Sequence, residues 1–344
     1  MLNSLAALPH YRKKIGRLVS FIFPALYLLI FTSAPLVEAA QEIKNWPKGE
    51  VFMPKNLLLK SNKLDQIILE SNPRLFLYPD FDPKADLILV IGMDGWGGRS
   101  ENFIDTLRIG LKSKGLTRRL VLASLQDPAT RGPRYQGQGD RDHANVWSLE
   151  EPSIPVLHHF VSKLANELGH LRVYFMGYST GSAAAPLAAA RVALVGPTDN
   201  FRVEGAICLG TGSAVRGSQL KSLQQRVLFI VVPPRRNKEA PAMRYDQGNR
   251  ASAEAAHARL IEAGAPSYLR HIESARRHID WHWGLMSQCR YFPNPKHIDK
   301  GRGYWPHYWL PNPDTFEAMI YFIQGKAPPE KPSNPTPTQC PFDP

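Results

Sequence analysis

The stretch Arg172 to Pro186, RVYFMGYSTGSAAAP, constrains this chain more than any other. Leu171 and Val173 to Met176 have the β-branched and aromatic character of a buried strand. Gly177-Tyr178-Ser179-Thr180-Gly181 follows without a gap, and the alanine-rich run Ala183 to Ala190 reads as helix. Strand, Gly-x-Ser-x-Gly, helix is the nucleophile-elbow pattern. The serine sits on a strained turn with its hydroxyl exposed, and small residues two before and two after it let strand and helix approach closely. Ser179 is therefore a candidate nucleophile; the competing reading is a Gly/Ser-rich turn that serves packing alone.

Such a junction needs a sheet to carry the strand and helices to cover it, and the rest of the chain supplies both. Leu87 to Ile91, in LILVIGMDGWGG, is continuously apolar and ends in a glycine-rich turn, as a strand covered on both faces does. Further strands are predicted at Arg119 to Ser124, Val203 to Leu209, Val227 to Val232 and Tyr268 to Ile272. Helices are predicted at Asn102 to Lys112, Pro152 to Leu168, Asn249 to Ala263 and Pro313 to Gln324. Upstream, Val51 to Met53, Gln66 to Leu69 and Leu75 to Leu77 read as short leading antiparallel strands. Strands alternating with helices give an α/β protein with a mostly parallel central sheet and helices on both faces. Ligands of such sheets bind at the carboxyl ends of the strands.

The first 39 residues stand apart. Arg12, Lys13, Lys14 and Arg17 precede an apolar run from Leu18 to Val37, and Val37-Glu38-Ala39 ends it with small residues where a signal peptidase cuts. This segment reads as a signal peptide, with an uncleaved membrane anchor as the alternative; on either reading the protein is exported, periplasmic or secreted. Cleavage after Ala39 leaves 305 of the 344 residues, enough for one large domain over 40–326, followed by a Pro-rich tail over 327–344. The cleaved part holds four Lys/Arg and one Glu, a net +3, so +9 of the formal +12 remains. That excess favours an anionic membrane or cell-envelope surface as partner. No basic helix or aromatic-basic motif concentrates the charge, so nucleic acid is not expected. Of three cysteines, Cys208 lies in an apolar run and reads as a core thiol, while Cys289 and Cys340 are candidates for one disulfide in an oxidising compartment. No spacing suggests a metal site.

The order of these parts over Leu87 to Gln324 resembles the α/β-hydrolase superfamily. The resemblance implies a serine hydrolase that needs no cofactor and acts on a small-molecule or lipid-like carboxylic ester. Asp94-Gly95-Trp96-Gly97-Gly98 stands where that superfamily has an oxyanion loop, which implies backbone N–H donors at Trp96 and at Thr180, the residue after the nucleophile. The base should be a His beyond the last strand; Arg276-Arg277-His278-Ile279-Asp280-Trp281-His282-Trp283 offers His278, with His282 as its competitor. His143, His257, His271, His297 and His307 read as surface or packing residues. The acid belongs after the strand at Val227 to Val232, but Pro233 to Lys238 contains none. Glu239 is the nearest carboxylate and Asp246 the next, so the triad expected from the resemblance is Ser179, His278 and Glu239. The gap in the acid position keeps open a second class of function: a catalytically inactive protein that keeps this fold as a scaffold for anionic lipid or polymer.

Overall fold

Uninterrupted apolar runs pair with one another at the centre of the molecule, and helices with one apolar face close over them. The computed structural model describes residues 46–58, 62–93, 100–127, 152–178, 180–195, 200–210, 226–231, 242–271 and 313–329. All but Trp46 belong to the unit Pro47–Pro344. Among these residues eight strands form one sheet: β1 (Val51–Phe52), β2 (Arg74–Leu77), β3 (Leu87–Met93), β4 (Leu120–Ser124), β5 (Leu171–Tyr178), β6 (Phe201–Leu209), β7 (Arg226–Val231) and β8 (Ser267–His271). Their order is β1-β2-β4-β3-β5-β6-β7-β8. β1 and β2 are antiparallel to their neighbours, and β4, β3, β5, β6, β7 and β8 are parallel.

Among the described residues, six α-helices flank the sheet: α1 (Lys63–Glu70), α2 (Ser100–Gly110), α3 (Ser153–Leu168), α4 (Thr180–Leu194), α5 (Ala242–Glu262) and α6 (Pro313–Ile323). Because side chains alternate along a strand, each central strand feeds two cores. Ile88, Val90, Tyr174, Met176, Ile207 and Leu228 pack with Phe103 and Leu107 of α2 and Phe316, Met319 and Phe322 of α6. On the opposite face Cys208, Val227, Phe229 and Val231 meet Ala190 of α4 and Ala253, Ala256 and Leu260 of α5. Cys208 is a buried core thiol, and desolvation pushes its pKa far above the ordinary range.

One predicted strand is a helix. Gln66 to Leu69 lies inside α1, where the Asn62 side chain caps the first turn by accepting from the Leu64 N–H at 2.8 Å. Its apolar run is only three residues long, Ile67 to Leu69, and a buried carboxylate outweighs it. Asp65, fully enclosed, lies 2.8 Å from His159 Nε2 and accepts from Lys163 Nζ at 3.2 Å, both on α3. Two partners four residues apart on one helix meet a residue on another, which fixes α1 against α3. α5 also begins at Ala242, seven residues before the predicted Asn249, so Gly248 lies within the helix and does not start it. The segment 1–39, the tail beyond Pro329, Cys289 and Cys340 lie outside the described residues.

Candidate functional site

The chain reverses its direction across the sheet at one place. From β3 it moves outward to β4 on one side, and from β5 it moves outward to β6 on the other, while β3 and β5 are themselves neighbours. The crevice beyond the carboxyl ends of two such strands is where open α/β sheets bind their ligands. Met93, the last residue of β3, is in register with Gly177, one residue before the end of β5.

β5 ends at Tyr178 and α4 begins at Thr180, leaving a single residue, Ser179, between strand and helix. Gly177 and Gly181 account for so abrupt a junction. A Cβ built on Gly177 would come within 2.5 Å of Ser182 Cα and would overlap the Gly181 carbonyl outright. Only a residue without a side chain lets strand and helix approach that closely. The first N–H groups of α4, Thr180 among them, have no partner within the helix and carry the positive end of its dipole.

The end of β3 is equally confined. Gly92 is covered by the Phe103 ring, whose Cδ1 would lie 2.5 Å from a Cβ at that position. On the other side the Ser124 hydroxyl, fully buried at the end of β4, donates to the Gly92 carbonyl at 3.2 Å. At the same edge Ser153 Oγ, in the first turn of α3, donates to the buried Asp127 carboxylate just beyond β4. β8 ends at His271, whose Nε2 lies 3.7 Å from Glu254 Oε1 of α5, and Arg250 Nε donates to that same oxygen at 2.7 Å.

Of the residues named from the sequence, Ser179, Trp96, Glu239, His278 and His282 lie outside the described residues. Thr180 opens α4, and Asp246 is part of the α5 backbone and not of a loop. What the structure brings together is therefore their supports: the ends of β3 and β5 in the crevice, with the ends of β7 and β8 farther along the same edge. Ser124 and Asp127 were not singled out from the sequence. The available signal was a serine closing an apolar strand and an aspartate three residues later, a pattern shared by many strand ends. Among the described residues no group of His, Cys, Asp and Glu is arranged to hold a metal ion, and no helix is long and apolar enough to cross a membrane.

No family model matches the chain, and no curated protein is similar to it in sequence. Among solved structures it is similar to a carboxyl esterase from Bacillus coagulans, with 11% identity over 74% of this chain and 93% of that one and a TM-score of 0.41. It is also similar to a dienelactone hydrolase from Anabaena variabilis, with 17% identity over 69% and 89% of the two chains and a TM-score of 0.36. A carboxyl esterase from Tuber melanosporum is 10% identical over 58% and 71%, with a TM-score of 0.36. The strand order, the direction of each strand and the strand-to-helix junction around residue 179 give this chain the α/β-hydrolase fold.

Proposed function

We propose that the protein is an exported serine hydrolase that cleaves a carboxylic ester through an acyl-enzyme. Ser179 Oγ attacks the ester carbonyl while His278 takes its proton, and the Trp96 and Thr180 N–H groups receive the oxyanion. Collapse expels the alcohol, which takes the proton back from His278; water then repeats the sequence and releases the acid. Glu239 orients the imidazole, and the net basic surface brings the enzyme to anionic membranes or envelope polymers that present a lipid-like ester.

One observation carries this reading: a one-residue strand-to-helix junction, closed by Gly177 against Gly181, at the switch point of the sheet. Chain reach is compatible with the remaining roles. Strands lie about 4.8 Å apart, so β8 is about 14 Å from β5, and β7 about 10 Å. His278 comes seven residues after His271 and Glu239 eight after Val231, which allow spans of roughly 23 and 26 Å when extended.

The test is fluorophosphonate labelling of the purified protein beside hydrolysis of p-nitrophenyl esters. Labelling is expected in wild type and lost in Ser179→Ala; His278→Ala is expected to lose at least about a thousandfold in kcat/KM, and His282→Ala little. A folded wild type that neither labels nor turns over would dismiss the enzyme and leave the binding scaffold.

A further inference from the structure

Three large hydrophobic side chains are exposed among the described residues, and all three lie at one edge of the sheet: Leu194 (67%), Val195 (53%) and Ile261 (54%). Leu194 closes α4 and Val195 follows it, ahead of β6; Ile261 is in the last turn of α5, ahead of β8. Both helices return the chain to the amino ends of the strands, the edge opposite the crevice. They share a face of the sheet, because Ala190, one turn before Leu194, belongs with Leu260 to one core cluster. The starts of β6 and β8 are two strands apart, about 10 Å, so the three side chains are not scattered over the surface. Cations stand at the same edge. Arg191 and Arg259, in the last turns of the two helices, are exposed, as are Arg202 in β6 and Lys326, whose carbonyl is bound by Arg226 at the start of β7. Glu262 is exposed beside them, whereas Asp86 and Glu204 are already held by Arg119, Arg172 and Arg202. The chain also enters the domain here. The Gly49 N–H donates to the Leu77 carbonyl at 2.7 Å and Lys48 Nζ to the Phe81 carbonyl at 2.8 Å, and Leu77 pairs with Val121 near the start of β4. The residues before Pro47, with the apolar run Leu18 to Val37, are therefore joined to this edge.

We propose that this amino-end edge docks the protein on an anionic bilayer. Leu194, Val195 and Ile261 enter the boundary between headgroups and acyl chains, and Arg191, Arg202 and Arg259 meet the anionic headgroups around them. Aliphatic side chains beside cations suit a surface that is anionic outside and apolar beneath, which a soluble polyanion is not. A second copy placed face to face sets arginine against arginine, so the edge is not complementary to itself. The apolar run long enough to span a bilayer ends at Val37, ten residues before Pro47, so where it is retained it tethers the domain by the same edge. The inference rests on the proposed attraction to anionic surfaces and not on the hydrolase chemistry. It adds an orientation: the crevice at the carboxyl ends opens away from the bilayer, toward esters carried by solvent or by an envelope polymer.

The experiment sediments the full chain with vesicles of phosphatidylcholine alone and of phosphatidylcholine mixed with phosphatidylglycerol, and follows amide exchange in the bound protein. Wild type is expected to partition more strongly to the anionic vesicles, with an advantage that falls as salt is raised. Arg191→Gln/Arg259→Gln is expected to lose about 10- to 30-fold of that partition. Leu194→Ser/Val195→Ser/Ile261→Ser, which leaves the charge unchanged, is expected to lose about tenfold and to keep wild-type fluorophosphonate labelling. Exchange is expected to slow over 191–195 and 259–265 when anionic vesicles are added, a readout that holds even where the N-terminal segment alone retains the protein. Unchanged partition in both variants, or unchanged exchange in those two segments on vesicle-bound protein, overturns the inference and leaves a general basic attraction. Slowed exchange there that follows protein concentration without vesicles assigns the edge to a second copy and overturns it as well. Equal partition of wild type to neutral and anionic vesicles removes the attraction and this inference together, and none of these outcomes bears on labelling of Ser179.

Discussion

His257 faces β8 from α5, its Nδ1 2.8 Å from Ser267 Oγ. Desolvation first, and the positive charge of His271 second, hold its pKa below the ordinary histidine value. Glu254 of α5 lies between His271 and Arg250, its Oε1 3.7 Å from His271 Nε2 and 2.7 Å from Arg250 Nε. Because the folded protein releases this proton more readily than the unfolded chain, the unfolded state binds more protons below about pH 6.5. The contribution to stability is complete above that pH and is lost as the pH falls from there through the lower folded-state pKa. Wild type is expected to show a lower urea midpoint at pH 5 than at pH 7.5, and His257→Asn, which keeps an acceptor for Ser267, a smaller drop. Equal drops in the two proteins would remove His257 from the pH response. The sequence reads His257 as a surface or packing residue, but its partner ten residues away was not legible, because the helix-to-strand turn that joins them is a tertiary feature.

At the scale of elements, the junction between β5 and α4 is the part of the chain where local sequence and tertiary demand coincide. Gly177 and Gly181 are needed because a strand and a helix meet there without a connecting loop, and a Cβ at 177 would meet main chain that cannot move aside. Gly177→Ala is expected to displace Ser179 or unfold the protein. Either way fluorophosphonate labelling falls at least about a hundredfold, whereas Ala184→Gly, a few residues along α4, costs only about 1 kcal/mol and leaves labelling intact. Normal labelling of Gly177→Ala would mean that the close approach is not what shapes the site. The same coincidence explains why β3, β5, β6 and β7 were legible: where they are covered on both faces they are apolar, and their charged residues Arg172, Arg202, Glu204 and Arg226 stand near the strand starts. It fails at α1, where three apolar residues, Ile67 to Leu69, suggest a strand and the deciding group is the Asp65 carboxylate, whose partners on α3 lie more than ninety residues away.

Across the whole molecule, alternation of strands and helices made the α/β class legible, but strand order is a matter of long-range pairing that no local pattern encodes. The same holds for how the chain ends. Arg226, at the start of β7, donates to the Phe322 carbonyl at 3.3 Å and the Lys326 carbonyl at 3.0 Å. Its guanidinium lies over the rings of Phe322 and Tyr268. Arg270 of β8, only 3% exposed, donates to the Pro329 carbonyl at 3.1 Å. Two arginines on the last two strands thus bind the segment that follows α6, at a sequence separation of 59 residues for Arg270 and 100 for Arg226. A buried guanidinium deprived of its acceptor is left with an uncompensated charge, which costs roughly 3 kcal/mol. A chain ending at Pro329 keeps both contacts and is expected to unfold in urea at the wild-type midpoint. One ending at Gln324 loses the Lys326 and Pro329 carbonyls and is expected to be about 3 kcal/mol less stable. Equal midpoints for the two truncations would show that Arg226 and Arg270 draw no stability from the chain's end. A loss already present in the chain ending at Pro329 would place the needed contacts in the Pro-rich tail beyond it.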